Sequence, residues 1–326
     1  MVAYNRDDRF RKGRAAPGHS VQSLFASLRL GTASEVCTFS LNIGKRTDLF
    51  MKKWFFLLVL TAVPFVVVWG HHPKGVTYPV YQFSSDQLPV IDGDPGDWDS
   101  IPEKYLIDGS HLMDTVMGKG KNMDPKDLAV EVKVGWNPET NRLYFLYKVY
   151  DDMFNFNFAR GDIFEVVIDS DHSGGRYHSF DDVDAQSEER LKSTTAQNYH
   201  IFTPPAEGKA WAWVWGTQQW LIEKPWSEHA YQYDFAYKES GVLYLEFSIT
   251  PFNYASFRGP VYSARHKMEE GETMGNSWSV LDYDEEDGRY EGFWNLSHHT
   301  RMDYTASLLP NFKLMPREVP SGTKDP

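Results

Sequence analysis

The chain has 326 residues, a formal net charge of −12 at pH 7 and a single cysteine. One cysteine excludes a disulfide framework and a thiolate metal site. The acidic balance argues against a nucleic-acid partner, since phosphate binding requires a basic surface, and it suits calcium and neutral polar ligands better.

Residues 51–70 have the pattern of a secretory signal. Met51-Lys52-Lys53 supply a basic start, and an apolar run over residues 54–69 follows it. This run is shorter than the roughly 20 residues of a membrane-spanning helix, which favours a signal peptide. An uncleaved membrane anchor stays the alternative, because no small-x-small cleavage site precedes His71. The predicted location is periplasmic or secreted.

The residues before the signal, 1–50, are rich in Arg and Ser and poor in acids. We interpret them as an upstream over-extension of the gene model, with a disordered tail as the alternative. Cys37 belongs to this part, so the exported chain would contain no cysteine and no lipid-modified one. Residues 71–326 keep 41 of the 45 acidic residues but only 23 of the 33 basic ones, which strengthens the exclusion of nucleic acid.

The exported part divides into an extended lead-in at 71–89, one continuous block at 90–315 and a flexible tail at 316–326. Within Ala129–Trp136, apolar residues alternate with charged ones, the period-two pattern of a half-buried strand. A short turn leads to the apolar run Leu143–Tyr150, so the two segments predict a hairpin. Further strands are predicted at Ile163–Asp169, Asn198–Thr203, Ala210–Trp215, Gln219–Glu223, Tyr231–Tyr237, Val242–Ile249, Trp278–Tyr283 and Tyr290–Leu296.

Helical patterns are limited to Asp184–Lys192 and a single turn starting at Thr250-Pro251-Phe252. Many short strands at even spacing with hardly any helix predict an all-β fold, an antiparallel β-sandwich or jelly roll.

Two acidic segments follow predicted strands and are candidate metal sites. Asp169, Asp171 and Ser173 alternate ahead of Gly174, a spacing by which a loop can wrap oxygen ligands around Ca²⁺. The alternative is a solvated turn that caps the strand. The second segment, Asp282–Gly288, is dense in carboxylates that repel one another unless a cation or solvent offsets them.

Tryptophans are the candidate ligand contacts. Trp211, Trp213 and Trp215 alternate along one predicted strand and should project from the same face, as a platform for a sugar ring or as core. Trp220, Trp226 and Trp294 lie in or beside predicted loops. The residues selected as ligand contacts are Trp213, Trp215, Trp226 and Trp294.

Four segments in order resemble family 9 carbohydrate-binding modules. They are Val90–Trp98 with its I-D-G and D-W letters, the hairpin ending at Asp152, Gly161–Asp169, and Gly275–Asp284. The resemblance implies a β-sandwich or jelly roll, structural calcium, and a sugar held between aromatic side chains. It extends a calcium role to Asp169, Asp171, Asp282 and Asp284.

The resulting hypothesis is an exported, non-catalytic carbohydrate-binding protein that is stabilised by calcium and binds an oligo- or polysaccharide. Its partner would be the envelope machinery of polysaccharide utilisation. No catalytic motif is evident, so no catalytic residue is assigned. Two alternatives stay open. One is a glycoside hydrolase or lyase with its acids hidden among the carboxylates, and the other is a haem-b electron-transfer domain with Met153, Met274 or His266 as axial ligand.

Overall fold

The computed structural model describes residues 72–157, 161–284 and 289–318. All of these residues belong to one compact unit, Val67–Pro326. The segment 1–50 with Cys37, the signal segment 51–70, residues 285–288 of the acidic segment and the tail beyond 318 lie outside the described residues. Among the described helices, none is long and apolar enough to cross a membrane.

The described residues contain fifteen strands and one α-helix. The helix α1 is Ala185–Leu191, and Asp184 caps its start by accepting hydrogen bonds from the backbone N–H groups of Gln186 and Ser187. The strands are β1 Thr77–Gln82, β2 Leu106–Asp108, β3 Met113–Asp114, β4 Leu128–Asn137, β5 Arg142–Asp151, β6 Ile163–Asp169, β7 Gln197–Phe202, β8 Ala212–Val214, β9 Ser227–Gln232, β10 Gly241–Ile249, β11 Phe252–Tyr254, β12 Ala264–Arg265, β13 Thr273–Asp282, β14 Gly292–Asn295 and β15 Asn311–Leu314.

Short 3₁₀ turns connect several of these strands. One of them replaces the strand predicted at Gln219–Glu223, and the turn predicted from Thr250 is instead the strand β11. The 3₁₀ segments are Pro95–Trp98, Glu103–Tyr105, Gly109–His111, Gln219–Ile222, Pro260–Tyr262, Thr300–Asp303 and Ala306–Leu308.

The main sheet follows the strand order β8-β7-β6-β13-β15-β1-β4-β5-β10-β9. It folds back so that one half packs on the other: the ring of Phe164 on β6 stacks on Tyr147 of β5 at 4.1 Å and meets Phe247 of β10 at 6.3 Å. The main hydrophobic core lies between these halves. The predicted all-β sandwich is therefore confirmed.

Strand β1 joins the two halves of the sheet. Its first part pairs with β15 and its last two residues pair with β4, and both pairings are parallel. The remaining ladders are antiparallel, so the predicted antiparallel order needs a correction at this one strand. The segment 71–89, predicted as an extended lead-in, thus contributes a strand to the middle of the sheet order.

The segment Val90–Trp98 has a structural role. Trp98 is fully buried, and its indole Nε1 donates a 2.7 Å hydrogen bond to Oε1 of Glu246, which is buried on β10. The backbone N–H of Gly93 donates to Oε2 at 2.7 Å. A side chain at Gly93 would meet the backbone of Tyr231 at 2.8 Å, and its φ of +93° also favours glycine. The segment Val90–Trp98 is therefore held in place by hydrogen bonds to the buried carboxylate of Glu246.

Replacing Trp98 with Phe is expected to lower the free energy of unfolding by about 2 kcal/mol, because a buried carboxylate loses a hydrogen-bond donor. Trp136 to Phe is the matched control, since that buried indole donates instead to the neutral carbonyl of Met315 at 3.1 Å. Urea unfolding of both variants measures the difference. A Trp98 variant as stable as the Trp136 variant would contradict this role.

Candidate functional site

Six carboxylates gather at one end of the sandwich, and we call them the acidic cluster. Asp151 ends β5 and Asp282 ends β13, while the remaining members lie just outside strands. Within three overlapping triplets, the carboxylate oxygens lie within 4.8 Å of one another. The acidic cluster comprises Asp127, Asp151, Asp152, Asp162, Asp282 and Asp284.

The strand register brings these residues together from both halves of the sandwich. Leu128 of β4 pairs with Asp151, which sets Asp127 beside the end of β5. On the other half, Ile163 pairs with Leu281, so Asp162 and Asp282 are neighbours. The acidic cluster therefore contains residues from both halves of the sandwich, at the end where β5 and β13 end.

The hydrogen bonds of these carboxylates are uneven. Asp162 accepts from the backbone N–H groups of Asn155 at 2.7 Å and Tyr283 at 3.0 Å. Asp282 is 2 % exposed, and within the described residues neither of its carboxylate oxygens has a hydrogen-bond partner. An ionised carboxylate buried in this way is costly unless a cation binds it.

Burial and mutual repulsion raise the pKa values in the acidic cluster. Burial, with the neighbouring carboxylates Asp152 and Asp127 as the further cause, raises the pKa of Asp151 to about 7. The pKa of Asp284 is raised to about 7 for the same two kinds of reason, and those of Asp162 and Asp282 are raised well above their ordinary value. Oxygen-only donors at this density fit Ca²⁺, the metal that the family resemblance implies.

These pKa values predict how the metal-free protein responds to pH. Between about pH 4 and pH 7, the folded state holds protons on Asp151 and Asp284 that the unfolded chain has already released. The free energy of unfolding must then fall as pH rises through this window. Thermal melts of dialysed, chelator-treated protein should show a midpoint that drops by several degrees, and saturating calcium should remove the drop. A midpoint that rises across the window without metal would contradict the prediction.

The loop after β6 has a different construction. The carboxylate of Asp169 is fully buried, and it accepts hydrogen bonds from the N–H of Gly174 at 2.8 Å and the N–H of Ser173 at 3.3 Å. Asp171 and Ser173 are exposed, and Asp171 also accepts from Ser173 N–H at 3.2 Å. This is the geometry of the strand-capping turn that the sequence left as the alternative. Asp169 pairs with Gly275 near the start of β13, at the far end from Asp282.

A row of polar side chains crosses the outer face of the other half of the sheet. Cross-strand pairing aligns Trp213 of β8 with His200 of β7, His200 with Glu165 of β6, and Glu165 with Ser279 of β13. Directly paired residues project from the same side of a sheet. The neighbouring residue Phe164 points into the main core, so this row lies on the opposite face of the sheet, where Glu165, His200 and Ser279 are nevertheless buried.

The centre of this row is a buried hydrogen-bonded group. Glu165 is fully buried, and its Oε1 accepts a 2.8 Å hydrogen bond from Asn198 and lies 3.0 Å from Nε2 of His200. Two indoles border it: Trp213 packs on His200 at 4.1 Å between ring centroids, and the centroid of Trp215 lies 6.3 Å from that of Trp213. Both indoles are half-buried. We call these five residues the tryptophan face.

The tryptophan face offers both apolar and polar contacts. Indole rings can stack on the C–H face of a sugar, while neighbouring polar atoms fix its orientation. Asn198 Oδ1 and His200 Nδ1 are buried and have no hydrogen-bond partner among the described residues. His178 borders the other side of Trp215, with ring centroids 4.0 Å apart.

Trp211 does not join the tryptophan face, contrary to the expectation for the three alternating indoles. Strand β8 begins only at Ala212, and Trp211 turns inward, where it packs on Phe247 with ring centroids 6.0 Å apart. It is 5 % exposed, and its Nε1 donates to the carbonyl of Ile222.

The other two selected tryptophans lie elsewhere. Trp294 is on strand β14 and is 1 % exposed within the main core, so its selection as a ligand contact is wrong. Trp226 is half-buried, but its ring is contacted by Trp220 and Phe252, and the guanidinium of Arg265 covers it at 4.4 Å. The tryptophan face therefore retains two of the four selected residues.

The three residues considered as haem ligands are engaged in packing or hydrogen bonding within the protein. Met274 is 1 % exposed in the main core. His266 has Nδ1 2.7 Å from Asn253 and Nε2 3.1 Å from a carboxylate oxygen of Glu272. Met153 follows Asp151 and donates its N–H to that carboxylate at 2.8 Å.

Several site residues were missed from the sequence. Glu165 and His200 each stand between two residues of the main core, a period-two signal that marks a polar face, whereas Asn198 follows the polar Gln197 and carries no such signal. Asp151 directly follows one predicted strand and Asp162 directly precedes another, so the sequence indicated that both lie at strand ends. Their proximity depends on the strand register.

Comparisons with known proteins give a structural likeness only. No protein-family model matches the sequence, and no curated protein matches it. A family 9 carbohydrate-binding module from Caldicellulosiruptor kristjanssonii in complex with cellotriose is similar, with 14 % identity and a TM-score of 0.47 over 77 % of this chain and all of the module. A glucose complex of a family 9 module from that organism gives 16 % identity and a TM-score of 0.44 over the same shares. The family is the one that the four sequence segments resemble.

Proposed function

We propose that this chain is a non-catalytic carbohydrate-binding protein that holds a glycan on the tryptophan face. The observation that carries the proposal is a fully buried carboxylate, Glu165, hydrogen-bonded to Asn198 and His200 beside two half-buried indoles. Aromatic rings with a few polar groups beside them are the combination by which proteins bind sugars without charge pairing. Neutral oligo- or polysaccharides are the substrate class that suits it.

Calcium at the acidic cluster is the second part of the proposal. A bound ion would connect β4 and β5 with β6 and β13, and so would stabilise the sandwich that presents the tryptophan face. The two unpartnered oxygens of Asp282 support this role, because each needs a cation or a proton. In this proposal calcium is structural and does not contact the glycan.

Export and partners complete the proposal. The signal pattern at 51–70 supports a periplasmic or secreted location, where calcium and glycans are available. The partner would be the envelope machinery that takes up or degrades polysaccharide, with this chain supplying the binding step. An uncleaved anchor at 51–70 would keep the same binding function at a membrane.

Binding without turnover is the property to test. Titration with a panel of soluble glycans is expected to give a saturable change in intrinsic tryptophan fluorescence, since two indoles would contact the ligand. Prolonged incubation of the same mixtures should release no reducing ends. Steady release would identify an enzyme, and a haem absorption band in protein from a haem-replete host would favour the electron-transfer alternative. A complete absence of binding across the panel would contradict the proposal.

A further inference from the structure

A small hairpin stands apart from the main sheet. Strands β11 and β12 pair only with each other within the described residues, and residues 255–263 connect them. Four apolar side chains on this hairpin are exposed to solvent: Tyr254 by 40 %, Phe257 by 41 %, Val261 by 89 % and Tyr262 by 53 %. We call the segment Phe252–Arg265 the aromatic hairpin.

Hydrogen bonds hold the tip of the aromatic hairpin in this arrangement. The N–H of Ala255 donates to the carbonyl of Thr194 at 2.7 Å, and Nε1 of Trp220 donates to the carbonyl of Ser256 at 3.1 Å. Across the tip, the N–H of Ser256 donates to Oγ of Ser263 at 2.9 Å. The exposure of the apolar side chains is thus built into the fold, and the tip needs little ordering when it binds a partner.

The charge of this region is opposite to that of the chain. Residues 250–268 contain three basic side chains and no Asp or Glu, whereas the whole chain carries −12. One of the three, Lys267, pairs with Glu269 at 3.3 Å, which leaves two arginines on the hairpin. Arg258 lies over the ring of Tyr262 at 3.8 Å, and Arg190 lies over Phe257 at 5.1 Å. Across residues 72–157, 161–284 and 289–318, no acidic side chain forms an ion pair with Arg190, Arg258 or Arg265.

We propose that the aromatic hairpin docks on an anionic lipid bilayer. Tyrosine and phenylalanine rings favour the interface between headgroups and acyl chains, and a projecting valine can enter the apolar boundary. The arginines would bind lipid phosphates. The acidic remainder of the chain would be repelled by the same surface, so only this end would approach it.

The aliphatic Val261 is the reason to prefer a bilayer to an acidic glycan or protein. A side chain without hydrogen-bonding atoms, 89 % exposed at a projecting tip, has nothing to offer a polar glycan. An acyl boundary accepts it without further contacts. The proposal is independent of the tryptophan face, so the glycan hypothesis can fail without affecting it.

A local probe in the full chain tests the proposal. With Cys37 replaced by Ser, Val261→Cys carries an environment-sensitive fluorophore, and Val90→Cys, at a site 60 % exposed, is the matched control. Vesicles containing phosphatidylglycerol should produce a blue shift and a severalfold intensity rise at Val261, with quenching by spin-labelled lipid, and no change at Val90. The Val90 probe controls for vesicle binding through the apolar run at 54–69, because that run would bring both labelled sites to the vesicle.

Charge reversal completes the experiment. Arg258→Glu with Arg265→Glu should abolish the shift at the Val261 probe, while Lys313→Glu, at an exposed site on β15, should leave it unchanged. An aqueous spectrum at Val261 with anionic vesicles would overturn the proposal. So would an equal shift with vesicles of phosphatidylcholine alone. A response to a soluble polyuronate in place of vesicles would also overturn it and identify a glycan as the occupant.

Discussion

Replacing Asp282 with Asn is expected to remove most of the thermal stabilisation that calcium gives the protein. Asp282 is the member of the acidic cluster whose two buried oxygens lack partners, so a bound ion should depend on it most. Calcium at 100 times its dissociation constant adds about 2.7 kcal/mol to the free energy of unfolding by mass action. For a domain of this size, that corresponds to a midpoint shift of roughly 5–10 °C. Thermal melts with calcium and with chelator measure it.

Without metal, Asp282→Asn should not lower the stability of the protein. In chelator, Asn removes a buried, mutually repelling carboxylate, so the variant should be at least as stable as the native chain. Asp171→Asn is the matched control, because Asp171 is exposed in the turn after β6 and should leave the calcium shift unchanged. If calcium still raised the midpoint of Asp282→Asn but not that of Asp171→Asn, the ion would bind in the turn after β6. That result would contradict a calcium site at the acidic cluster.

Replacing Trp213 with Ala is expected to weaken glycan binding by about 2 kcal/mol, or roughly thirtyfold in Kd. Its indole is half-buried beside the buried pair of His200 and Glu165, so it would supply stacking area for the sugar. Isothermal titration with a glycan found in the panel measures the change.

Trp226→Ala is the control for that substitution. Trp226 is also half-buried, but it packs against Trp220 and Phe252 and is covered by Arg265. Its loss should lower stability and leave the Kd of the folded protein unchanged. If Trp226→Ala weakened binding and Trp213→Ala did not, the glycan would bind beside β9 and the tryptophan face would be a structural surface.

The fold was largely predictable because long strands carry their own pattern. Strand β6 was predicted with the bounds that the structure gives it, and the predicted helix differs from α1 only at its terminal residues. Strands β1 and β15 were missed, because each is short and forms only through partners distant in the sequence. The segment predicted at Tyr231–Tyr237 instead has its strand at Ser227–Gln232, since the register with β10 decides where pairing occurs.

The site was predictable only where one segment contained the whole signal. Alternation along one segment predicted that Trp213 and Trp215 lie near each other, and a local run of acids placed Asp282 beside Asp284. Trp294 lies inside the strand predicted at Tyr290–Leu296, but the sequence alone did not show that β14 directs its ring into the core.

The partners of these residues were not predictable in the same way. Asp151 and Asp162 reach Asp282 through the meeting of two sheet halves, and His200 reaches Glu165 through the pairing of β6 with β7. Pairing between distant segments is not encoded in either segment alone.

Thermal unfolding in saturating calcium, with and without each member of the glycan panel, tests the central claim most directly. A glycan that binds only the folded state must raise the midpoint by mass action, and the rise should be absent in Trp213→Ala. We expect such a shift for at least one neutral glycan. A midpoint that no glycan moves, in a protein that calcium does stabilise, would contradict carbohydrate binding and leave only the calcium-stabilised sandwich.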